Sequence, residues 1–315
     1  MPELPEVETV LTGLRPHLEG KRIEHAIQRR KDLRWPLPPR FAQRLSGRRI
    51  ETMTRRAKYL LFGLDPAPPT PKADPVAETL IIHLGMSGRL FVEEKPAVEE
   101  KPGVVEMPGI EDRANTAAFH HALGETDKAR KHDHIVLEME HGAQIIYNDA
   151  RRFGAMDLWP TESIAEHKLL RSLGVEPMSK ALDGAWVLAQ FEGKKANLKA
   201  ALLDQRLIAG LGNIYVCEAL FRARLNPERE AGALTPSEAS ALAKAVKTVL
   251  GDAIKAGGSS LRDFHGASGE LGYFQHSFNV YGRGDMPCLR ARCTGWVRRT
   301  AHSGRSTFSC ELCQV

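Results

Sequence analysis

The sequence predicts a multidomain α+β protein: a β-rich first half, a helical second half and a small cysteine-bearing tail. Three observations carry this reading. Short apolar runs separated by turn residues occupy the chain up to about Trp159. Beyond it, helical periodicity with capping signals takes over. Of the five cysteines, Cys288, Cys293, Cys310 and Cys313 crowd the last 28 residues. A chain of 315 residues makes one large domain or two modest ones. With 42% hydrophobic and 26% charged residues it is neither disordered nor fibrous. No apolar run approaches the ~20 residues of a membrane-spanning helix.

Pro5 opens the first helix, and Val7, Val10, Leu11 and Leu14 recur on one of its faces; Pro16 marks its expected end. Strands are expected at Tyr59–Phe62, Leu80–Leu84, Ile135–Met139 and Gln144–Tyr147, the last two joined by a turn at His141-Gly142. Residues 65–78, with five prolines, and residues 93–130, acidic and aperiodic, read as surface insertions. Trp186 to Leu203 reads as a helix, broken by Gly210-Leu211-Gly212-Asn213, after which Ile214 to Arg224 resumes it. Thr235-Pro236-Ser237-Glu238 is a capping box that opens a helix running to Gly257-Gly258. A glycine-rich polar loop (residues 257–272) leads into the tail.

Charge is uneven along this layout. The net charge is +5, yet residues 93–130 hold nine acids and five bases, while residues 280–315 hold six arginines and two acids. A basic chain with a basic tail suggests a polyanionic partner. The opening MPELPEVETV carries acid where an export signal needs positive charge, so a cytoplasmic location is expected. There, paired cysteines read as metal ligands before disulfides. Cys288-x4-Cys293 and Cys310-x2-Cys313 match a closed, structural zinc site with no open coordination position.

Other candidates carry two readings each. Gly304 to Phe308 is either a phosphate-contacting turn or a solvated one. In Gly210 to Ile214, Asn213 can cap the second helix and leave its first N–H groups to an anion; the alternative is a tight corner beside Lys194, Lys195, Lys199 and Arg206. Once Met1 is trimmed, Pro2 is a secondary amine that is partly unprotonated near neutrality and can form a cationic iminium; alternatively it merely precedes a helix. Met86 between two glycines reads as core, and Phe153 beside Arg151 and Arg152 is core or a wedge for a base stack. Arg55-Arg56-Ala57-Lys58 reads as a solvated basic strand end, Cys217 as a buried thiol, and His132-Asp133-His134 lacks a third metal ligand nearby.

In order, MPELPEVETV, RRAKYLLF, IIHLGMSGRL, RRFGAM, GLGNIYVCEALF, VYGRG and GRSTFSC..CQ span the chain. Together they resemble the formamidopyrimidine-DNA glycosylase branch of the helix–two-turn–helix DNA glycosylases. The resemblance implies an N-terminal β-sandwich catalytic domain over residues 1–160, a helical helix–two-turn–helix DNA-binding domain over 161–279 and a zinc finger over 280–315. It implies a bifunctional glycosylase and abasic-site lyase that excises 8-oxoguanine and formamidopyrimidines from double-stranded DNA, acting as a monomer in a bacterial, nucleoid-associated setting, with one structural zinc per chain. By the same resemblance Pro2 is the nucleophile, Glu3 the acid/base at the sugar-ring oxygen, Lys58 the β-elimination donor and Arg305 the δ-elimination residue. Met86, Arg151 and Phe153 fill the gap left by the flipped base, and His132, Arg151, Lys194 and Asn213 contact DNA. The chain departs from the family in its x4 cysteine spacing, where x2 is common, and in its two enlarged loops.

Three competing readings are weighed against this one. The sister branch that acts on oxidised pyrimidines tends to begin PEGPE, unlike this chain. A DNA-binding protein without chemistry would not need Pro2, Glu3 and Lys58 together. An RNA-binding zinc protein would want more surface aromatics than 6% supplies.

Overall fold

Residues 2–66, 76–94, 131–259, 272–302 and 304–315 are described in the computed structural model. Both expected insertions and the expected polar loop lie mostly outside these residues. Helix α1 (Leu4–Leu18) buries the expected stripe of Val7, Val10, Leu11 and Leu14. It does not stop at Pro16, which sits inside it. The N–H that proline lacks would have met the carbonyl of Thr12, on the exposed side where water can serve instead, while fully buried Leu18 anchors the last turn.

Eight strands form two antiparallel four-stranded sheets. One has the order β1 (Ile23–Gln28), β6 (Asp133–Met139), β7 (Ala143–Asn148), β5 (Arg89–Glu94). The other has the order β2 (Ile50–Arg56), β3 (Tyr59–Leu64), β4 (Glu78–His83), β8 (Ala155–Pro160). Ile135, Leu137, Ile145 and Tyr147 of the first face Phe62, Leu80, Ile82 and Met156 of the second in one core, which α2 (Phe41–Leu45) and the stripe of α1 complete. The four strands expected from sequence are the two central pairs, and all four edge strands escaped it. Edge strands meet solvent along one side and are built with polar and charged residues, as in Ile50-Glu51-Thr52-Met53-Thr54-Arg55-Arg56, so their apolar signal is weak.

The second half is helical, but Trp186 to Leu203 is not one helix. It divides into α3 (Gly184–Phe191) and α4 (Leu198–Leu203). Gly193 turns the chain at φ +67, and Asn197 caps the second piece by accepting from Ala200 N–H at 2.8 Å. Then come α5 (Asn213–Ala223) and α6 (Pro236–Lys255), the latter opened by the expected capping box and followed by Gly257 and Gly258, both at positive φ. Helix α6 packs against α3, α5 and α1, so α1 is shared between the sandwich and the helices.

The tail is a hairpin of β9 (Val297–His302) and β10 (Arg305–Cys310), reversed at Gly304 with φ +73. Phe308 and Val280 pack it onto Phe221 and Cys217 of α5. Cys217 is a buried thiol, as expected, and burial pushes it up to about 11. Fully buried Glu218 accepts the backbone N–H groups of Asn279, Val280 and Tyr281 at 2.9–3.0 Å, clamping the approach to the tail. Among the described residues no helix is long and apolar enough to cross a membrane.

Candidate active site and nucleic-acid face

Pro2 and Glu3 are buried where the start of α1 meets the start of α5. Glu3 N–H donates to Glu6 Oε2 at 2.8 Å, and Leu4 N–H to Gly210 carbonyl oxygen at 3.3 Å, which fixes the start of α1 against the interhelical turn. The Glu3 carboxyl accepts from Ile214 N–H at 3.1 Å, at the positive end of α5. Gly212 is required beside it: a Cβ there would stand 2.1 Å from Glu3 Cδ. The expected cap therefore differs. Gly212 is the N-cap, Asn213 is the first helical residue, and the anion at the free N–H groups is the protein's own Glu3.

This carboxyl is poised. Burial raises its pKa to about 7, opposed by the charge of Lys58 and assisted by Glu6, and its Oε2 has no hydrogen-bond partner among the described residues. Lys58 lies on the β2–β3 turn, where Ala57 adopts φ +54, and its buried Nζ donates to Leu211 carbonyl oxygen at 2.9 Å. Burial lowers the Lys58 pKa; Glu3 opposes that, and Arg305 adds to it. Glu3, Lys58 and Arg305 thus share one electrostatic neighbourhood, although they lie far apart in sequence.

Arg55 and Arg56 are not a solvated strand end. Glu176 accepts from both guanidinium groups, at 3.0 and 2.7 Å, and from Ala57 N–H at 2.6 Å, so the turn that presents Lys58 is held by a carboxylate about 120 residues away. Glu6 does similar work at the other end, accepting from the Tyr215 hydroxyl and from Ser259 N–H at 2.8 Å.

The tail hairpin joins this centre through Ser306, whose carbonyl accepts from Asn213 Nδ2 at 2.8 Å and from Lys199 Nζ at 2.9 Å. Arg305 is exposed next to it. The four tail cysteines place their sulfurs within 4.8 Å of one another, with Cys288–Cys313 at 3.8 Å and Cys293–Cys310 at 3.6 Å. A tetrahedral ion with metal–sulfur bonds of ~2.3 Å spaces its ligands by ~3.8 Å, so this cluster fits a metal. Arg290, on the long x4 knuckle, stacks on Phe221 at 4.6 Å and donates to its carbonyl, which seats the extra residues on α5.

A second group lies at one end of the sandwich. Leu33, Arg34, His83, Gly85, Met86, Arg151, Arg152 and Phe153 line an open cleft. Met86 and Phe153 are 40% and 42% exposed, so neither is core, and the Arg151 guanidinium lies 4.7 Å over the Phe153 ring. His83 bridges the two groups: it pairs with Tyr59, next to Lys58, and lies three residues before Met86. Burial brings its pKa down to about 4, with Lys58 and Arg34 adding to the shift, so it is neutral at pH 7. Nδ1 accepts from Gly85 N–H, which leaves the proton on Nε2 as a donor.

His132 is half-buried, its carbonyl accepting from Asp149 N–H at 3.0 Å. Its neighbours are occupied in hydrogen bonds: Asp133 accepts from Asn148 Nδ2, and His134 Nε2 lies 2.8 Å from Asp149 carbonyl oxygen. Lys194 stands on the α3–α4 turn near Asp204, and among the described residues its side chain makes no hydrogen bond to Glu3, Lys58 or Met86. Sequence reasoning assigned no role to His83, Arg34, Glu6, Asp149, Glu176 and Glu218, and gave Lys199 only a place beside the interhelical turn. His83, Glu6 and Glu218 sat within already notable motifs, but a motif does not name the donors that its carboxylates accept, which lie up to 253 residues away.

Known proteins resemble this chain along its whole length. Residues 1–156 match the formamidopyrimidine-DNA glycosylase N-terminal domain, and residues 173–265 the H2TH domain of the same family. The formamidopyrimidine-DNA glycosylase of Cereibacter sphaeroides is 51% identical over 314 residues, 100% of each chain; that of Ruegeria sp. is 49% identical over the same span. Among solved structures, the MutM (Fpg) protein of Thermus thermophilus is 35% identical with a TM-score of 0.76, covering 99% of this chain and 98% of that one. Lactococcus lactis Fpg in complex with abasic-site DNA is 29% identical with a TM-score of 0.75, covering 99% of each. The chain belongs to the formamidopyrimidine-DNA glycosylase family.

Proposed function

We propose that this protein removes oxidised purines, 8-oxoguanine and formamidopyrimidines, from double-stranded DNA and then cleaves the strand at the resulting abasic site. The observation that carries this is the buried Pro2-Glu3 pair beside Lys58, with a Glu3 oxygen that has no partner among the described residues and a pKa of about 7. The target nucleotide must leave the duplex before C1′ is accessible. The Pro2 nitrogen then attacks C1′, the bond to the base breaks, and the base departs with that electron pair and a proton. Glu3 delivers a proton to the ring oxygen as its bond to C1′ opens, leaving a cationic iminium. The iminium acidifies the C2′ proton; its loss expels the 3′ phosphate in β-elimination, and a second elimination expels the 5′ phosphate. Lys58 serves the first elimination and Arg305 the second, and water finally releases Pro2. His132, Lys194 and Asn213 join Arg151 in holding the DNA. The direct test is borohydride reduction during incubation with duplex carrying 8-oxoguanine opposite cytosine. A covalent protein–DNA adduct is expected; strand cleavage without one would exclude the iminium.

A second lesion class has one observation in its favour: wild-type Lactococcus lactis Fpg, 30% identical, is known in complex with DNA containing an oxidised pyrimidine. Parallel trapping with an oxidised pyrimidine separates the two. The partner of the lesion is read by Arg151, whose guanidinium offers donors to the acceptor edge of an orphaned cytosine. Arg151→Ala should therefore weaken the preference for cytosine over adenine opposite 8-oxoguanine, measured as the ratio of excision rates. An unchanged ratio would reduce Arg151 to a phosphate contact.

The tail metal is zinc in this reading, held by Cys288, Cys293, Cys310 and Cys313. With four thiolates it takes no part in the chemistry and serves to fold the hairpin that presents Arg305. Cys310→Ser should lose zinc and lower DNA affinity while the helices and sandwich keep their circular dichroism. Arg305→Ala should keep zinc and reduce the salt dependence of binding by about one ion. Normal binding and cleavage by a zinc-free Cys310→Ser protein would overturn this part.

A further inference from the structure

We propose that Asp149 is a positioning residue that locks the two cleft loops into one wedge, so that Met86, Arg151 and Phe153 enter the base stack together. This rests on the reading above, that those side chains occupy the gap left by the extruded nucleotide. They come from two separate loops, Leu84–Gly88 between β4 and β5 and Asp149–Gly154 between β7 and β8. Both loops cross from one sheet to the other. Because β4 pairs with β8 and β5 with β7, they run side by side at the same end of the sandwich. Nothing in the strand pairing itself fixes one loop against the other.

The Asp149 side chain does so. It is fully buried, and among the described residues it makes no ion pair. Its Oδ1 accepts from the Ser87 hydroxyl at 2.6 Å, and its Oδ2 accepts from Gly154 N–H at 2.8 Å and the Tyr147 hydroxyl at 3.1 Å. Ser87 Oγ in turn accepts from Arg151 N–H at 3.2 Å, so the residue after Met86 is bonded to the residue that carries the guanidinium. The Asp149 backbone is fixed as well: its carbonyl accepts from Arg152 N–H at 3.2 Å and lies 2.8 Å from His134 Nε2.

The glycines of the motif complete the lock. Gly85, at φ +65, touches the other loop backbone to backbone; a Cβ there would stand 2.3 Å from the Phe153 carbonyl carbon. A Cβ at Gly154 would stand 1.7 Å from the Tyr147 hydroxyl. A buried carboxylate without a cation is costly and is tolerated only where hydrogen bonds satisfy it. Here those bonds run to both loops. Side chains that are to offset the unstacking of a base pair must arrive already placed, because misplacement of about 1 Å can cost ~10²-fold in rate.

The proposal is tested with Asp149→Asn and Ser87→Ala. Asparagine keeps an acceptor for Ser87 but presents an amide N–H to Gly154 N–H, donor against donor. Ser87→Ala removes the hydroxyl bridge from a half-buried site and leaves Asp149 in place, so it reports even if the Asp149 variant folds poorly. Both variants should excise 8-oxoguanine from duplex on the order of tenfold more slowly or worse, with a weakened preference for cytosine opposite. Cleavage of a ready-made abasic site in single-stranded DNA, where there is no stack to fill, should proceed at the wild-type rate. In a Phe153→Ala background the Ser87→Ala effect should shrink, since a wedge already broken has less to lose. Wild-type duplex excision by both variants, equal losses on single and double strands, or full additivity with Phe153→Ala would overturn the role of Asp149. A wild-type chain that leaves the lesion in place would instead take down the functional reading on which it rests.

Discussion

Glu3→Gln is expected to lower base excision by roughly 10²–10⁴-fold, the range of a lost general acid, and at the same time to raise the melting temperature at pH 8. The two effects share a cause. The native Glu3 carboxyl titrates at about 7 rather than 4.5, chiefly because it is buried. Between those pH values the folded protein keeps a proton that the unfolded chain has released. Stability therefore falls as pH rises through that window and levels off above it. A gap of that size corresponds to ~3 kcal/mol. Glutamine fills the same space without a charge at any pH, so the variant escapes this loss at pH 8; the missing attraction to Lys58 trims the gain. Near pH 5 the wild-type carboxyl is protonated, and the two proteins should melt alike. Melting curves at pH 5 and 8, run beside excision assays, check both halves. Equal melting at both pH values would mean that Glu3 is ionised in the native protein throughout, and would remove it as a proton donor near neutrality.

The legible parts of this molecule were those whose signal is local. Central strands β3, β4, β6 and β7 are apolar runs; the α6 capping box and the cysteine spacing are contained within a few residues. What could not be read was long-range. Ile23–Gln28 looks like a polar loop until Val136 and Leu137 pair with it. Trp186 to Leu203 has continuous helical composition, yet the two pieces part at Gly193 and Asn197 because Leu198 N–H bonds the carbonyl of Arg229. The candidate site divides in the same way. Pro2, Glu3, Lys58, Met86, Arg151, Phe153 and Arg305 stood out in motifs, whereas of the groups that hold them Glu6 and Glu218 lie inside motifs without standing out there, and Glu176 and Asp149 lie in none. Glu176 seats the Lys58 turn, Glu6 the Glu3 backbone, Glu218 the approach to the tail and Asp149 the cleft loops. A glutamate or aspartate in isolation reads as a solvated charge, and only the fold reveals that each of these accepts two or more backbone or side-chain donors.

Blocking the N-terminus should abolish chemistry while leaving recognition intact. An acetylated or peptide-extended Pro2 nitrogen is an amide with no basic lone pair, so neither the attack on C1′ nor the iminium can form. The loss should be on the order of 10³-fold or more, as for removal of any covalent nucleophile. Binding to lesion-bearing duplex should survive, because Met86, Arg151 and Phe153 on the cleft loops and Arg305 on the tail hairpin are untouched. Pro2→Gly should fall between the extremes: a primary amine can still form an imine, but that imine must be protonated to act as an electron sink, whereas the iminium of a secondary amine is cationic from the outset. The rival nucleophile is Lys58, whose buried amine has a lowered pKa and stands close enough to Glu3 to feel its charge. Geometry disfavours it, since Lys58 Nζ is committed to the Leu211 carbonyl at 2.9 Å. Borohydride trapping with the blocked protein decides between them. An adduct that persists after blocking and disappears in Lys58→Ala would move the nucleophile to the β2–β3 turn. Its disappearance on blocking alone, with duplex affinity retained, assigns the covalent step to Pro2.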